Sequence, residues 1–352
     1  MQVARNHVAQ RVGMQEVARR AQVAASSVSR VLSGHPDVSP EMRARVQAAV
    51  MELGYQPDFL AQSLRRGASL SIAFIVADIS NPLLASIALG AEKLLRSAGY
   101  SMLLTNSGSD PDLDAAHVRL FLHRRVDGLI LSLASERRKA IVDLLADSQV
   151  PTVVVDRQLP ARARASAVFS DHRTGMLAAT NALLDLGHRK IGLVSAPLDI
   201  FAGRMRLAAL REAVAARGLP EDAARFVSGP FTHEHGRAGT LTLLDAPDGA
   251  PTALIAGSNQ LLSGCLEALQ ARQLRPGTDI ALITCDDTPL ARLYQPPIAA
   301  ITRDTVAVGR TAAELLLRRL RPSLPSDAEP STVVLDTHFE PRASCCPPPS
   351  RG

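Results

Sequence analysis

Tryptophan is absent from this 352-residue chain, and aromatic residues make up only 3% of it, so few ring faces are available to stack on a ligand. Lysine is nearly absent too. Lys93, Lys139 and Lys190 are the only three, and the remaining basic charge is arginine, a bias that reflects genome composition more than function. Four cysteines occur: Cys265 and Cys285 in apolar surroundings, Cys345 and Cys346 side by side in a proline-rich tail. They show neither metal-ligand spacing nor a disulfide framework, and ordinary reduced thiols are expected. No apolar run approaches the roughly 20 residues of a bilayer span. The segment from Met1 to Gly13 carries Arg5, His7 and Arg11 without an apolar stretch, so no signal peptide is expected and the chain is expected to stay in the cytoplasm.

What is present is a chain 46% hydrophobic and 21% charged, enough for a buried core and too long for one average domain. Residues 1–67 hold nine of the 39 basic and five of the 34 acidic residues, four of the chain's five net positive charges. The rest is nearly neutral. A small basic head on a neutral body suits a polyanion partner, and a merely solvated basic surface would have the same composition.

Residues 14–54 pattern as short helices. Met14 to Ala21 sets Val17, Ala18 and Ala21 on one face, and a break follows at Gln22-Val23-Ala24. A second helix, about Ala25 to Leu32, turns Val28, Val31 and Leu32 inward and stops at Ser33-Gly34-His35-Pro36. Ser39 is expected to cap a third, with Pro40 in its first turn, Val46, Val50 and Leu53 buried, and Gly54 at its end. Residues 58–66 could add a two-turn helix. From Leu70 apolar runs at 71–77, 100–105, 128–133, 152–156, 165–170, 190–196, 252–256, 279–284, 298–302 and 331–336 read as strands. Amphipathic stretches at 82–98, 111–125, 135–147, 173–186, 201–217, 233–245, 259–273 and 304–320 read as helices between them. Buried strands alternating with helices imply parallel, doubly wound sheets, and this many strands imply two of them.

Helix, three-residue break and helix, with Ala18 and Ala21 small enough for a close crossing, is helix-turn-helix spacing, whose second helix enters the major groove. Its solvent face would be Ala25, Ser26, Ser29, Arg30 and Ser33. Arg30 can donate two hydrogen bonds to guanine O6 and N7, and the serines suit phosphates or base edges. A small helical bundle with an exposed arginine fits the same local pattern.

Over residues 15–67 the pieces EVAR, SSVSRVLSG, VSPEMRARVQAAVMELGYQP and FLAQSLRRG run in order without gaps. They closely resemble the head of the lactose/galactose repressor family, and the resemblance continues to about Arg342. It implies a sequence-specific DNA-binding transcription regulator, a repressor, that binds a near-palindromic double-stranded DNA operator as a homodimer and sits on the nucleoid when bound. It implies DNA contacts from Gln15, Ala25, Ser26, Ser27, Ser29, Arg30 and Ser33, with Ala25, Ser26 and Arg30 at base-reading positions. Residues 58–66 match a hinge helix that forms on the operator. There Ala61 and Leu64 match a minor-groove pair, Leu64 being the apolar wedge that unstacks a step to bend DNA, unless it packs between hinge helices. Arg65, Arg66 and Tyr55 would hold backbone phosphates. Two departures stand out. Gln22 replaces the usual turn glycine, so the turn is expected to be strained, and Ala25 offers only a methyl group.

The body resembles that family's core and periplasmic sugar-binding proteins, in which two parallel-sheet lobes enclose a cleft with ligand groups at strand carboxyl ends. The candidates there are Asp78, Asn81 and Leu83 after the first strand, Asp156 and Arg157 in VVVDRQLP, and Asp171 after AVFS. Arg204 is in the helix after GLVSA, Ser258 and Asn259 follow ALIAG, Asp286 follows ALITC and Arg303 follows IAAIT. Asp156 and Asp286 would accept sugar hydroxyls, while Arg157, Arg204 and Arg303 donate planar forks. A strand-end aspartate also caps helices, and a cleft arginine also bridges lobes. The run Asn81-Pro82-Leu83-Leu84 lacks the stacking ring that relatives carry, and Arg303 stands where many carry glutamine. Both tilt the expected effector from a neutral sugar toward a sugar acid or sugar phosphate.

Catalytic patterns are missing: no GxSxG elbow, GxxxxGK[ST] loop or HExxH helix occurs. His233 and His235 flank Glu234 at a spacing that points them apart on a helix, and His188 reads as structural. No enzyme activity, metal or cofactor is expected. An import solute-binding protein would share the body but have no use for residues 14–66. A purely architectural DNA-bending protein would not need so large a body. No leucine heptads follow Arg321, so a tetramer is not expected. The expected fold class is α/β, a small all-α helix-turn-helix head plus a two-lobed, doubly wound parallel-sheet body. Its parts are a flexible extension 1–13, a head 14–57, a hinge 58–67, an effector-binding and dimerisation body 68–342 and a disordered tail 343–352. Lobe one is expected from 68–168 plus 303–331, and lobe two from 169–302 plus 332–342.

Overall fold

The computed structural model describes residues 12–55, 68–321 and 329–349, in two compact units that divide after Ser69. In the first, helices α1 (Met14–Ala21), α2 (Ala25–Leu32) and α3 (Pro40–Leu53) pack around Val17, Ala18, Ala21, Val28, Val31 and Val46. Ala49 is also buried, while Val50 and Leu53 are only half-buried at its margin. Ser39 caps α3 by accepting from the Met42 N–H at 3.3 Å, and Gly54 ends it in the left-handed conformation. Gln22 closes α1 with φ +53°, so a residue with a Cβ holds a conformation that glycine adopts freely. That is the strain expected of this turn.

The second unit holds two six-stranded sheets. The first contains β1 (Ser71–Val76), β2 (Ser101–Asn106), β3 (Gly128–Ser132), β4 (Thr152–Val155), β5 (Ser166–Ser170) and β11 (Thr332–Leu335). They lie in the order β11-β5-β4-β3-β1-β2, all parallel. Helices α4 (Pro82–Ser97), α5 (Pro111–His123), α6 (Lys139–Ala146) and α12 (Thr305–Arg319) cover it. The second sheet contains β6 (Ile191–Ser195), β7 (Ala224–Ser228), β8 (Ala253–Ala256), β9 (Ala281–Cys285), β10 (Ala299–Thr302) and β12 (His338–Glu340). Their order is β12-β10-β9-β8-β6-β7, with only β12 antiparallel. It is covered by α7 (His172–Asp185), α8 (Phe201–Ala216), α9 (His233–Leu244), α10 (Asn259–Ala271) and the short α11 (Pro289–Leu293). The central strands are buried on both faces, which is why they read as unbroken apolar runs. Among the described residues no helix is long and apolar enough to cross a membrane.

The chain passes between lobes three times, after β5, after β10 and between β11 and β12. Residues 332–335 therefore belong to lobe one, not lobe two as expected. Helix α12 returns the chain beside β5, whose free edge takes Thr332–Leu335 in parallel register. Strands β7 and β12 and helix α11 were not legible, since each is short and lacks a periodic apolar pattern. The tail differs from expectation as well. Ser344 is fully buried, its hydroxyl donating to Leu282 C=O at 2.5 Å and accepting from Ala299 N–H at 2.8 Å. Cys345 and Cys346 pack on the lobe-two core, and the Cys346 carbonyl lies 2.8 Å from His188 Nε2. Prolines that look like disorder in the sequence instead suit an extended strap, because their φ is already fixed. Residues 350–352 and the N-terminal extension through residue 11 lie outside the described residues.

Each lobe contains one helix pair in near backbone contact. A Cβ on Gly309 of α12 would lie 1.8 Å from the Ile87 carbonyl oxygen of α4, and one on Gly264 of α10 2.0 Å from that of His233. Gly309→Ala is therefore expected to destabilise the body by about 1–3 kcal/mol, read as a lower urea midpoint. An unchanged midpoint would show that the helices separate at no cost.

Candidate functional site

On the head, Ala25, Ser26, Arg30 and Ser33 of the α2 region are exposed, as is Gln15 on α1, while Ser27 and Ser29 are half-buried. The face follows from the opposite one: Val28 and Val31 are held in the core, so residues about half a turn around point outward. Ser33 Oγ donates back to the Arg30 carbonyl at 3.1 Å, so it is turned toward its own helix. Tyr55 differs from expectation. It is 8% exposed and part of the head core, because its ring fills the space beside α3 rather than standing on the surface. Ala61, Leu64, Arg65 and Arg66 lie outside the described residues.

In the body a cavity of about 610 Å³, its open mouth included, lies where strands of both sheets end. Asp156 follows β4 with φ +49° and Asp286 follows β9 with φ +78°, two left-handed turns of a kind that aspartate tolerates better than most residues. Arg303, just past β10, joins them. Its Nε donates to Asp286 Oδ1 at 2.9 Å, and its Nη1 donates to Asp156 Oδ2 and to Ser170 Oγ, the latter at 2.9 Å. Arg157 Nε donates to the Leu133 carbonyl at 2.5 Å and Nη1 to the Asp156 carbonyl at 2.9 Å. Arg206 Nη1 donates to the Gly257 carbonyl at 2.6 Å, with Nη2 3.4 Å from His172 Nδ1. His172 Nε2 lies 3.3 Å from Asp156 Oδ1 but is not aligned as a hydrogen bond.

Burial alone would raise the Asp156 carboxyl, yet the adjacent Arg303 guanidinium, helped by the Ser170 N–H, outweighs it and holds the group well below the usual carboxylate range. Burial works against the charge of Arg303, but Asp286 and Asp156 reverse this and raise it. Burial lowers Arg157, against the pull of Asp156. Burial also lowers His172, opposed by Asp156 and assisted by Arg206, so the buried ring is held neutral.

Asn81, Leu83, Asp156, Arg157, Ser258, Asp286 and Arg303 all line this cavity. Two expected residues do not. Asp171 caps α7, accepting from the Arg173 N–H at 3.2 Å and the Thr174 N–H at 3.1 Å. Arg204 bridges the lobes instead, donating to Glu136 at 2.8 Å and to Gln158 at 3.1 Å. Arg206 is the α8 arginine that enters the cavity, because two residues along a helix turn the side chain by about 200°. The signal was present as the second arginine of Arg204-Met205-Arg206. Asn259, read beside Ser258 after ALIAG, also lines the cavity, while sequence reasoning missed His172, Phe231 and Gln260. Phe231 follows the unrecognised β7, and Gln260 lies one residue beyond the pair that was weighed there. Asn81 and Ser258 serve twice, since they also cap α4 and α10.

Residues 13–58 match the model for bacterial regulatory proteins of the lacI family, and residues 180–345 that for a periplasmic binding protein-like domain. The ribose operon repressor of Haemophilus influenzae is 31% identical over 308 residues, 88% of this chain and 92% of that one. The regulator CelR of Thermobifida fusca is 33% identical over 341 residues, 94% and 97% of the two chains. The chain belongs to the lacI family. Among solved structures, the Lac repressor dimer bound to operator and the anti-inducer ONPF matches with a TM-score of 0.83 and 25% identity, covering 96% of this chain and 100% of that one. A CelR–cellobiose complex matches with a TM-score of 0.69 and 31% identity, covering 95% and 100%. As a lacI-family member the protein is a DNA-binding transcription regulator, not an enzyme.

The neutral His172 ties stability to pH. The unfolded chain takes up a proton on it near the ordinary value of about 6.5, the folded chain only at lower pH. Its contribution is thus complete above that value and is lost as pH falls below it, in the same sense as those of His188 and His235, which burial also lowers. Urea unfolding at about pH 7.5 and about pH 5.5 should show a smaller loss on acidification for His172→Gln than for the parent. Equal losses would remove His172 from the effect.

Proposed function

We propose that the protein is a ligand-controlled repressor that binds a near-palindromic operator as a homodimer and changes its affinity when a small sugar-like effector fills the cleft. The observation that carries this reading is the combination, in one chain, of an exposed α2 face bearing Arg30 with an open-mouthed cavity between two lobes that is lined by buried charged groups. An effector can shift DNA affinity only by binding one lobe arrangement better than another, and a cleft shared by two lobes makes that difference available. The compared structures support the same roles in relatives: the Lac repressor on its operator as a dimer, CelR with cellobiose, and an Enterococcus faecium family member with ribose. A second copy also has a face to cover, since Leu89 of α4 and Leu103 and Leu104 of the edge strand β2 are exposed in lobe one, as are Leu290 and Leu293 in lobe two. A cytoplasmic protein, nucleoid-associated when bound to its operator, fits this role.

Fragments of the source genome captured on full-length protein should be enriched in a near-palindrome with a fixed centre. Failure to enrich any sequence, with or without small-molecule extracts, would overturn the reading. On the operator so found, Arg30→Ala should cost about 1–3 kcal/mol and relax base choice at one position in each half-site, whereas equal losses on every sequence would limit Arg30 to phosphate contact.

A further inference from the structure

Given a ligand-controlled cleft, we infer that its effector is a hydroxylated anion, a sugar bearing a carboxylate or phosphate, and that Arg303 sets this preference over neutral sugars. Asp156 and Asp286 are the groups that would accept sugar hydroxyls, and Arg303 already engages one oxygen of each. The three side chains are 10%, 6% and 7% exposed, so water offers no substitute partner. Asp156 is further saturated by the Ser170 N–H, which donates to Oδ1 at 2.7 Å.

The other two guanidiniums that line the cavity are in the opposite condition. Arg157 and Arg206 are buried, and among the described residues neither has a carboxylate within ion-pair distance. Their protein partners are carbonyl oxygens and an imidazole nitrogen. The acids nearby have other partners. Glu136 pairs with Arg204, and one oxygen of Asp114 accepts from the Ala134 N–H at 2.7 Å. Asp78, at the wall, takes the Ser80 N–H, the Ser80 hydroxyl and Gln260 Nε2. Asp156, Glu136 and Asp114 act on Arg157 only from beyond ion-pair distance, so both guanidiniums lack a direct anionic partner, and each has five N–H donors in a fork that matches carboxylate and phosphate oxygens. Arg157 extends from lobe one and Arg206 from lobe two, so an anion held by both would join the lobes.

Two further features fit a hydroxylated anion. Asn259 Oδ1 is buried in the cavity wall without a hydrogen-bond partner, an acceptor for a ligand hydroxyl. The wall offers one phenyl ring, Phe231, and is otherwise aliphatic at Leu83, Leu84 and Ile87, which leaves little stacking surface for a neutral sugar.

The test is calorimetric titration of the full-length protein with ribose and glucose, their aldonates and their terminal phosphate esters, followed by operator binding with each. The anions should bind at least about tenfold more tightly than the parent sugars, and the aldonate and phosphate arms show which anion is taken. Arg303→Gln frees both carboxylates and removes one positive charge, so the order should reverse in favour of the neutral sugar. Arg303→Lys, which keeps the charge, should retain the anion preference and serves if the glutamine variant does not fold. Parent protein that binds a neutral sugar as tightly as its anions, or that binds no anion, overturns the inference. If a neutral sugar then shifts operator affinity, ligand control stands and only the anion preference falls. If no ligand of either kind shifts it, both fall.

Discussion

The guanidinium of Arg303 lies where the chain passes from β10 of one lobe to α12 of the other, and it joins carboxylates at the ends of β4 and β9. Those carboxylates stand on left-handed turns deep in the cleft, positions that only a matched cation makes tolerable. Take the cation away and two buried acids face one another across the lobes. Arg303 holds that pair together and also donates to the Ser170 hydroxyl beside it. The cleft thus carries its own internal ion pair, and any ligand must either complement it or displace it.

Around this centre the lobes are tied by contacts of modest strength. Arg204 reaches Glu136 and Gln158 on one side. On another, Gln260 reaches Asp78, and Asn259 reaches Asn81 at 3.0 Å. Two of the three crossing segments are themselves linked, since Thr337 Oγ1 donates to the Asp171 carbonyl at 2.5 Å and accepts from the Gly175 N–H at 3.0 Å. Such hydrogen bonds exchange readily for bonds to a ligand, because each has a small net worth. The sheets behind them do not yield, being packed on both faces by apolar side chains. Any relative movement of the lobes would therefore act at the junction between them, where the cavity lies.

Much of this was legible because burial writes itself into sequence in simple periods. The Val17, Ala18 and Ala21 stripe and the doubly buried strands were read correctly since helix and strand patterns survive without knowledge of partners. Strand-end residues such as Asp156 and Asp286 were found because parallel sheets present their ligands there. What failed needed tertiary information. Whether Arg204 or Arg206 faces the cavity depends on the rotation of α8, which is set by the sheet beneath it. Asp171 took the helix-capping role that the sequence left open beside a cleft role, a choice settled only once the helix is placed. The lobe that receives residues 332–335 depends on which sheet edge is free, and the buried role of Ser344 depends on two strands distant in sequence.

The discontinuous lobes carry a consequence for how the protein is made. The head closes its core with residues 17–55 alone, so it can be complete early in synthesis. Neither lobe has that freedom. Lobe one waits for α12 and β11, and lobe two for β12 and Ser344, so β5 and β10 keep an open edge until residues 332–344 have been made. A nascent chain of this kind exposes apolar strands for most of its translation, and it depends on rapid closure or on holding factors at the ribosome to avoid pairing with its neighbours.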